Sequence, residues 1–254
     1  MNIFRRTARS TSPRLSDTQL RIAWQAVSLL LDYPGEQAAR HRALIRAELG
    51  SLPDPVASGL RTFLDFADAA EASEPGRLER EYVETFDHTR RGCLYLTYFA
   101  YGDTRRRGVV LVQFKQAYRK AGGEFAADEL PDHLAVVLEF GATHDPATAW
   151  KLLADYRAGV EMLRISLQDR KSPWADVLVA LCATLPSLGE DEAGEVARLI
   201  EQGPPVEEVG TEAYALDPSL SAPYEPASAD PGRQFLGDTI PMGVPMGAPM
   251  GTQR

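Results

Sequence analysis

"VVLVQFKQAYRKAGG", residues 109–123, opens like a β-strand and ends like a helix, and its reading decides between a mixed and an all-α fold. Val109, Val110, Leu111 and Val112 form an apolar, valine-rich run of the kind that fills buried strands. The residues after them follow a different period. Leu111, Phe114 and Tyr118 recur at intervals of three and four, which places them on one helical face; Asp103 is positioned to cap the start and Gly122-Gly123 to mark the end. The spacing predicts a helix over 104–121. No other stretch reads as a strand, so nothing remains from which to build a sheet.

Working outward, the chain is a succession of amphipathic helices punctuated by proline and glycine. "SDTQLRIAWQAVSLLLDYPG", residues 16–35, starts at a Ser16 or Asp17 cap, carries Leu20, Trp24, Val27 and Leu31 on one face, and stops at Pro34-Gly35. Later starts use proline at the first helical position, in "DPVASGL", "EPGRLERE", "DPATAWKLL" and "SPWADVLVAL", with Asp54, Asp145 and Ser172 as capping residues. Residues 16–202 are therefore expected to form one all-α bundle domain of nine to ten helices. A chain this size can close a single core. Residues 1–15 read as a flexible basic head. Residues 203–254 hold half of the 18 prolines and end in the repeat "PMGVPMGAPMG". Such a segment buries too little apolar surface to offset its ordering entropy, and is expected to be a disordered acidic tail.

Charge and cysteine usage exclude several classes of function. The chain has a formal net charge of -9. Arg5, Arg6, Arg9 and Arg14 make the head basic, and Arg105-Arg106-Arg107 form a local run. Overall acidity disfavours nucleic acid as a partner, because phosphate binding needs a broad basic footprint. No apolar run is long enough for a membrane anchor, and the head lacks the apolar core of an export signal. The 2 cysteines, Cys93 and Cys182, lie far apart, which suits reduced thiols in a cytoplasmic protein better than a disulfide or a metal site. His88 and Cys93 supply at most two ligands.

Catalytic templates are equally sparse. No phosphate-binding glycine loop, nucleophile elbow or dinucleotide fingerprint occurs. Glu81, Glu84 and Asp87 fall near one helical face, a pattern more typical of a hydrated surface than of acid/base chemistry. The notable stretch is "YVETFDHTRRGCLYLTYFAYGDTRRRG", residues 82–108. Its first residues end a helix at Phe86, "DHTRRG" turns, and 94–101 reads as a short aromatic helix with Tyr95, Tyr98 and Tyr101 towards one side. A helix apolar almost all round is buried or covered by a partner. Arg105, Arg106 and Arg107 stand in a first helical turn, where the dipole disfavours cations, so an acidic group is expected to face them.

"LLDYPG", the segment 82–122 and "ELPDHLAVVLEF" together resemble the delta-subunit assembly chaperones of respiratory nitrate reductase, within the TorD-like family of redox-enzyme maturation chaperones. The likeness runs from about residue 18 to 200 and leaves the tail uncovered. It implies an all-helical cytoplasmic protein that is no enzyme, carries no cofactor and stays outside the finished complex. Such a protein binds the amino-terminal segment of the apo catalytic (alpha) subunit, supports molybdenum cofactor insertion and delays membrane docking.

The resemblance also implies a client-binding set. Phe86, Tyr95, Tyr98 and Tyr101 would line a groove for an amphipathic helix, and Glu84, Asp87, His88, Asp103 and Arg107 would set its orientation. The family signature Glu-Pro-x-Asp-His is matched by Glu129, Asp132 and His133, with the proline displaced by one to Pro131. A plainer reading makes Asp132 a helix cap and His133 a surface residue. Asp132 and Glu129 would raise the pKa of His133 unless burial outweighs them. Two alternatives stay open: a chaperone for a different molybdoenzyme, and a small helical hydrolase using Asp87, His88 or His133.

Overall fold

The ambiguous segment is helical. The structure, a computed structural model, describes residues 15–88, 92–123 and 129–203, and Arg105–Lys120 form one of its longer helices. Val110, Phe114 and Tyr118 are its buried face, while Val109 and Val112 point outward. The valine-rich run is thus split between core and surface.

Eleven α-helices occur among the described residues, one or two more than expected: α1 (Asp17–Leu31), α2 (Ala38–Glu48), α3 (Asp54–Ser73), α4 (Arg77–Phe86), α5 (Tyr98–Tyr101), α6 (Arg105–Lys120), α7 (Leu134–Thr143), α8 (Pro146–Asp155), α9 (Arg157–Asp169), α10 (Trp174–Thr184) and α11 (Glu190–Gln202). Part of the excess comes from a break at Tyr156, whose non-helical backbone separates α8 from α9. The expected disordered tail lies outside the described residues apart from Gly203, and the basic head does so apart from Leu15.

Cap chemistry follows the sequence at some starts and departs from it at others. Ser16 and Gln19 form a reciprocal capping box on α1, with Gln19 N–H donating to Ser16 Oγ at 3.2 Å and Ser16 N–H to Gln19 Oε1 at 3.0 Å. Asp145 caps α8 by accepting from Ala147 N–H at 3.0 Å. Asp54 is already helical, however, and Pro173 rather than Ser172 flanks α10. Pro75 lies in a turn, and the chain enters α4 through Gly76 at φ +78°, a conformation that favours glycine. Asp103 does not cap α6: Thr104 occupies that position, and Asp103 pairs with Arg107.

Helix α1 is the spine, packed against α7 and α10, while α10 also packs on α3 and α9. Two of the last carbonyls of α1 lack intrahelical partners and are satisfied by buried aromatic side chains. Trp174 Nε1 donates to Leu30 O at 2.8 Å, and Tyr82 Oη to Leu31 O at 3.0 Å. Trp24, fully buried, donates to Thr184 Oγ1 at 3.0 Å. Each large ring thus brings its polar atom to a partner, as burial demands. Buried charge is compensated in the same way on α9. Burial pushes the Glu161 carboxyl up, but Arg164 and Arg157 more than offset this and hold it below the usual range.

The apolar stripe of α7, Leu134, Val137, Leu138 and Gly141, faces this core. Gly141 stands where α7 comes closest to α1 and α8: a Cβ there would lie 2.6 Å from Trp24 and 2.6 Å from the Ala149 Cβ. Gly141→Ala is expected to destabilise the protein by about 1–3 kcal/mol through overpacking. Gly50→Ala, where an added Cβ meets nothing within 4 Å, should change stability by less than about 0.5 kcal/mol. Urea denaturation of the two variants measures the difference.

Candidate functional site

Two sequence-distant loops meet ahead of α5 and α7. Tyr95 and His133 form an isolated antiparallel bridge, flanked by Leu96 N–H to Asp132 O at 2.9 Å and Leu134 N–H to Leu94 O at 2.8 Å. The bridge at Tyr95 and a turn at Leu96-Thr97 take the place of the first part of the expected aromatic helix over 94–101, which shrinks to the single turn of α5. Backbone pairing with the 129–133 loop outweighs the local helical pattern. Tyr118 ties the same loop to α6 by donating to Pro131 O at 2.5 Å.

Behind the bridge lies a buried carboxylate. Asp132 is fully inaccessible, so it is neither a cap nor a surface group, and His133 occupies the cap position of α7 without a side-chain bond. Asp132 Oδ2 accepts from Thr97 Oγ1 at 2.5 Å, from Thr97 N at 3.2 Å and from Arg107 Nη2 at 3.4 Å. Its Oδ1 has no partner among the described residues. Thr97 Oγ1 also accepts from Arg107 Nε at 3.1 Å. Arg107 then stacks 5.1 Å above the Tyr95 ring and reaches Asp103 at 3.4 Å. The acidic groups expected near the arginine run are thus Asp103 and Asp132, and it is Arg107 that turns inward to meet them.

These contacts wall a cleft of about 360 Å³ lined by Tyr82, Phe86, Asp87, Cys93, Leu94, Tyr95, Tyr98, Asp103, Arg107, Glu129 and His133. Its floor joins the core, because Tyr82 and Phe86 lie 4.7 Å apart and both rings contact Trp174. Arg170 steadies the end of α4 beside it, donating to Thr85 O at 3.1 Å and Glu84 O at 3.0 Å. On the rim, Tyr95 Oη donates to Glu129 Oε1 at 3.1 Å, and the Tyr95 and His133 rings meet edge to face at 5.3 Å. Burial and the bond to Glu129 push the Tyr95 hydroxyl up to about 12, and burial takes the Cys93 thiol up to about 11. Neither ionises near neutral pH.

Eight of the twelve residues singled out from the sequence share this cleft: Phe86, Asp87, Tyr95, Tyr98, Asp103, Arg107, Glu129 and His133. Asp132 supports it from behind. Glu84 and His88 pair with each other at 3.0 Å on the exposed end of α4. Tyr101, expected beside Tyr95 and Tyr98, lines a separate cleft with Leu96 and Tyr156. Thr89, Arg90 and Arg91 of the turn lie outside the described residues. Sequence reasoning missed Tyr82, Cys93, Leu94 and Thr97. Tyr82 was legible, one helical turn before Phe86; Thr97 carried no local signal. Among the described residues, no group of three or more His, Cys, Asp or Glu could hold a metal ion, and no helix is long and apolar enough to cross a membrane.

Two predictions test this geometry. Thr97→Val keeps the shape but removes a donor from buried Asp132, and should cost about 1–3 kcal/mol of stability; Thr97→Ser should retain most of it in the same denaturation experiment. The second concerns His133. Burial lowers its pKa and outweighs Glu129, Asp132 and Asp32, reversing the rise expected from its acidic neighbours. The unfolded chain therefore binds more protons than the folded one below about pH 6.5. The stability this group contributes is fully present above that pH and is lost as pH falls through the depressed folded value. His133→Gln should flatten that part of a melting-temperature profile recorded from pH 7 to pH 5.

Comparison with known proteins places this arrangement among relatives. The family model described as nitrate reductase delta subunit matches residues 49–180, which include the cleft helices, the bridge and Asp132. The nitrate reductase-like protein NarX of Mycobacterium tuberculosis is 37% identical over 170 residues, covering 66% of this chain but 25% of its own length. The chain thus spans about a quarter of that relative. The probable nitrate reductase molybdenum cofactor assembly chaperone NarJ of Bacillus subtilis is 32% identical over 187 residues, 72% of this chain and 98% of its own. The NarJ chaperone of Escherichia coli K12 is 30% identical over 175 residues, 66% of this chain and 72% of its own. With half the chain under one family model and most of it aligned to a full-length relative, the all-helical bundle and its bridged cleft belong to the nitrate reductase delta subunit family.

Proposed function

We propose that this chain is a NarJ-type assembly chaperone for a respiratory nitrate reductase. It binds the amino-terminal segment of the apo catalytic subunit, supports molybdenum cofactor insertion and delays membrane docking. It acts in the cytoplasm, needs no cofactor of its own and leaves the finished enzyme. The observation that carries this reading is the cleft: an aromatic floor with a charged rim, built by two of the three segments that resemble the family. Its volume of about 360 Å³ lies at the small end of ligand pockets, suited to the side-chain anchors of a helix rather than to the helix itself. Relatives named as assembly chaperones support the same role.

The hydrolase alternative finds less support. His88 bonds Glu84 and His133 packs on Tyr95, so neither is arranged as a base aimed at a nucleophile. A chaperone for another molybdoenzyme differs only in the client. Titration calorimetry with a peptide from the amino terminus of the nitrate reductase catalytic subunit, and with the equivalent peptide of a second molybdoenzyme, separates these readings. The first peptide is expected to bind near about 1 µM and the second not at all; the reverse pattern reassigns the client. Tyr95→Ala should weaken binding by about 1–3 kcal/mol, the range of an interface anchor. Tyr98 is buried, so its truncation mixes core and cleft effects and is the poorer probe.

A further inference from the structure

Helix α6 is chemically unlike the rest of the chain. Its sixteen residues include Arg105, Arg106, Arg107, Lys115, Arg119 and Lys120 and no Asp or Glu, in a chain of net charge -9. Arg107 is consumed by Thr97 and Asp132 on the inner side. The outer side is built differently. Val109 and Val112 are 63% and 53% exposed, among the most exposed large apolar residues described, and with Gln116 they run along the centre of the outward face. Arg106 and Lys120 flank that line on one side and Arg119 on the other, following the 100° step of the helix. Arg106, Arg119 and Lys120 make no ion pair with any described residue. From Arg106 to Lys120 the face extends about 21 Å.

We propose that this outer face of α6 is a docking surface for a membrane bearing anionic phospholipids. Two exposed valines flanked by cations on both sides, with no acid on the helix, fit a helix resting on a lipid interface. A protein partner would need acids in matching register, whereas an anionic leaflet presents a continuous negative plane that accepts cations at any spacing. The remaining acidity of the chain does not prevent the contact, because screening limits charge effects to about 10 Å at ordinary ionic strength. Two valines and a few cations give reversible attachment rather than an anchor. This surface is independent of the cleft and of the client proposed for it.

Co-sedimentation with vesicles provides the test. The full chain is expected to bind vesicles of mixed phosphatidylglycerol and phosphatidylcholine, not vesicles of phosphatidylcholine alone. Binding should be lost between about 0.1 M and about 1 M salt, as the screening length falls to about 3 Å. The exposed charge reversal R106E/R119E/K120E should weaken vesicle binding at least tenfold, since each cation near an anionic leaflet contributes roughly fivefold. V109S/V112S should weaken it severalfold, and both variants should keep the wild-type melting temperature. Absence of binding to the anionic vesicles, equal binding to both kinds, or full retention by the charge-reversal variant overturns the proposal. Binding to soluble polyglutamate as tight as to the vesicles also overturns it, and would make the face a site for acidic polypeptide.

Discussion

A carboxylate with no access to water has to be neutralised by the protein around it, and Asp132 imposes that requirement on everything near the cleft. The donors come from two places, the Thr97 hydroxyl and amide in the turn that leads into α5 and the Arg107 guanidinium on α6. Satisfying one charge therefore joins three parts of the chain. The Tyr95–His133 bridge repeats the connection through the backbone. Arg107, held from below, presents its upper surface to the Tyr95 ring. The cleft wall is thus preorganised by a polar network rather than by apolar packing alone, which limits the ordering entropy a ligand would have to overcome.

The cleft floor is an extension of the core. Tyr82 and Phe86 reach the cleft from α4, yet the same rings pack on Trp174, whose indole N–H caps the end of α1. Aromatic side chains serve both purposes because each has a large apolar body and, in tyrosine and tryptophan, one polar atom that needs a partner. The price is that truncating an inner ring such as Tyr98 disturbs stability as well as recognition. Tyr95, half-buried with its hydroxyl on exposed Glu129, is freer of that coupling.

Charge is distributed by element rather than averaged over the surface. The acids of the cleft rim, Asp87, Asp103 and Glu129, belong to loops and helix ends, whereas the outward cations of α6 stand on a continuous helix. The formal net charge of -9 conceals that separation. Over distances comparable to the screening length, each face acts through its own charge rather than through the net value.

The sequence alone determined the helical class, the end points of α1, the helical reading of 104–121 and the apolar stripe of α7, because all of these rest on short-range periodicity and capping. It also singled out most of the residues that line the cleft, through the density of aromatic and charged groups in 82–108 and the family signature at 129–133. What it could not determine were contacts between residues distant along the chain. Thr97 has no local distinction, and its role appears only when Asp132 is brought to it from 35 positions away. The non-helical form of 94–96 and the depressed pKa of His133 have the same origin. Local pattern predicted a helix at the first and a raised pKa at the second; tertiary pairing supplied a backbone partner that unwound the helix, and burial outweighed the neighbouring charges.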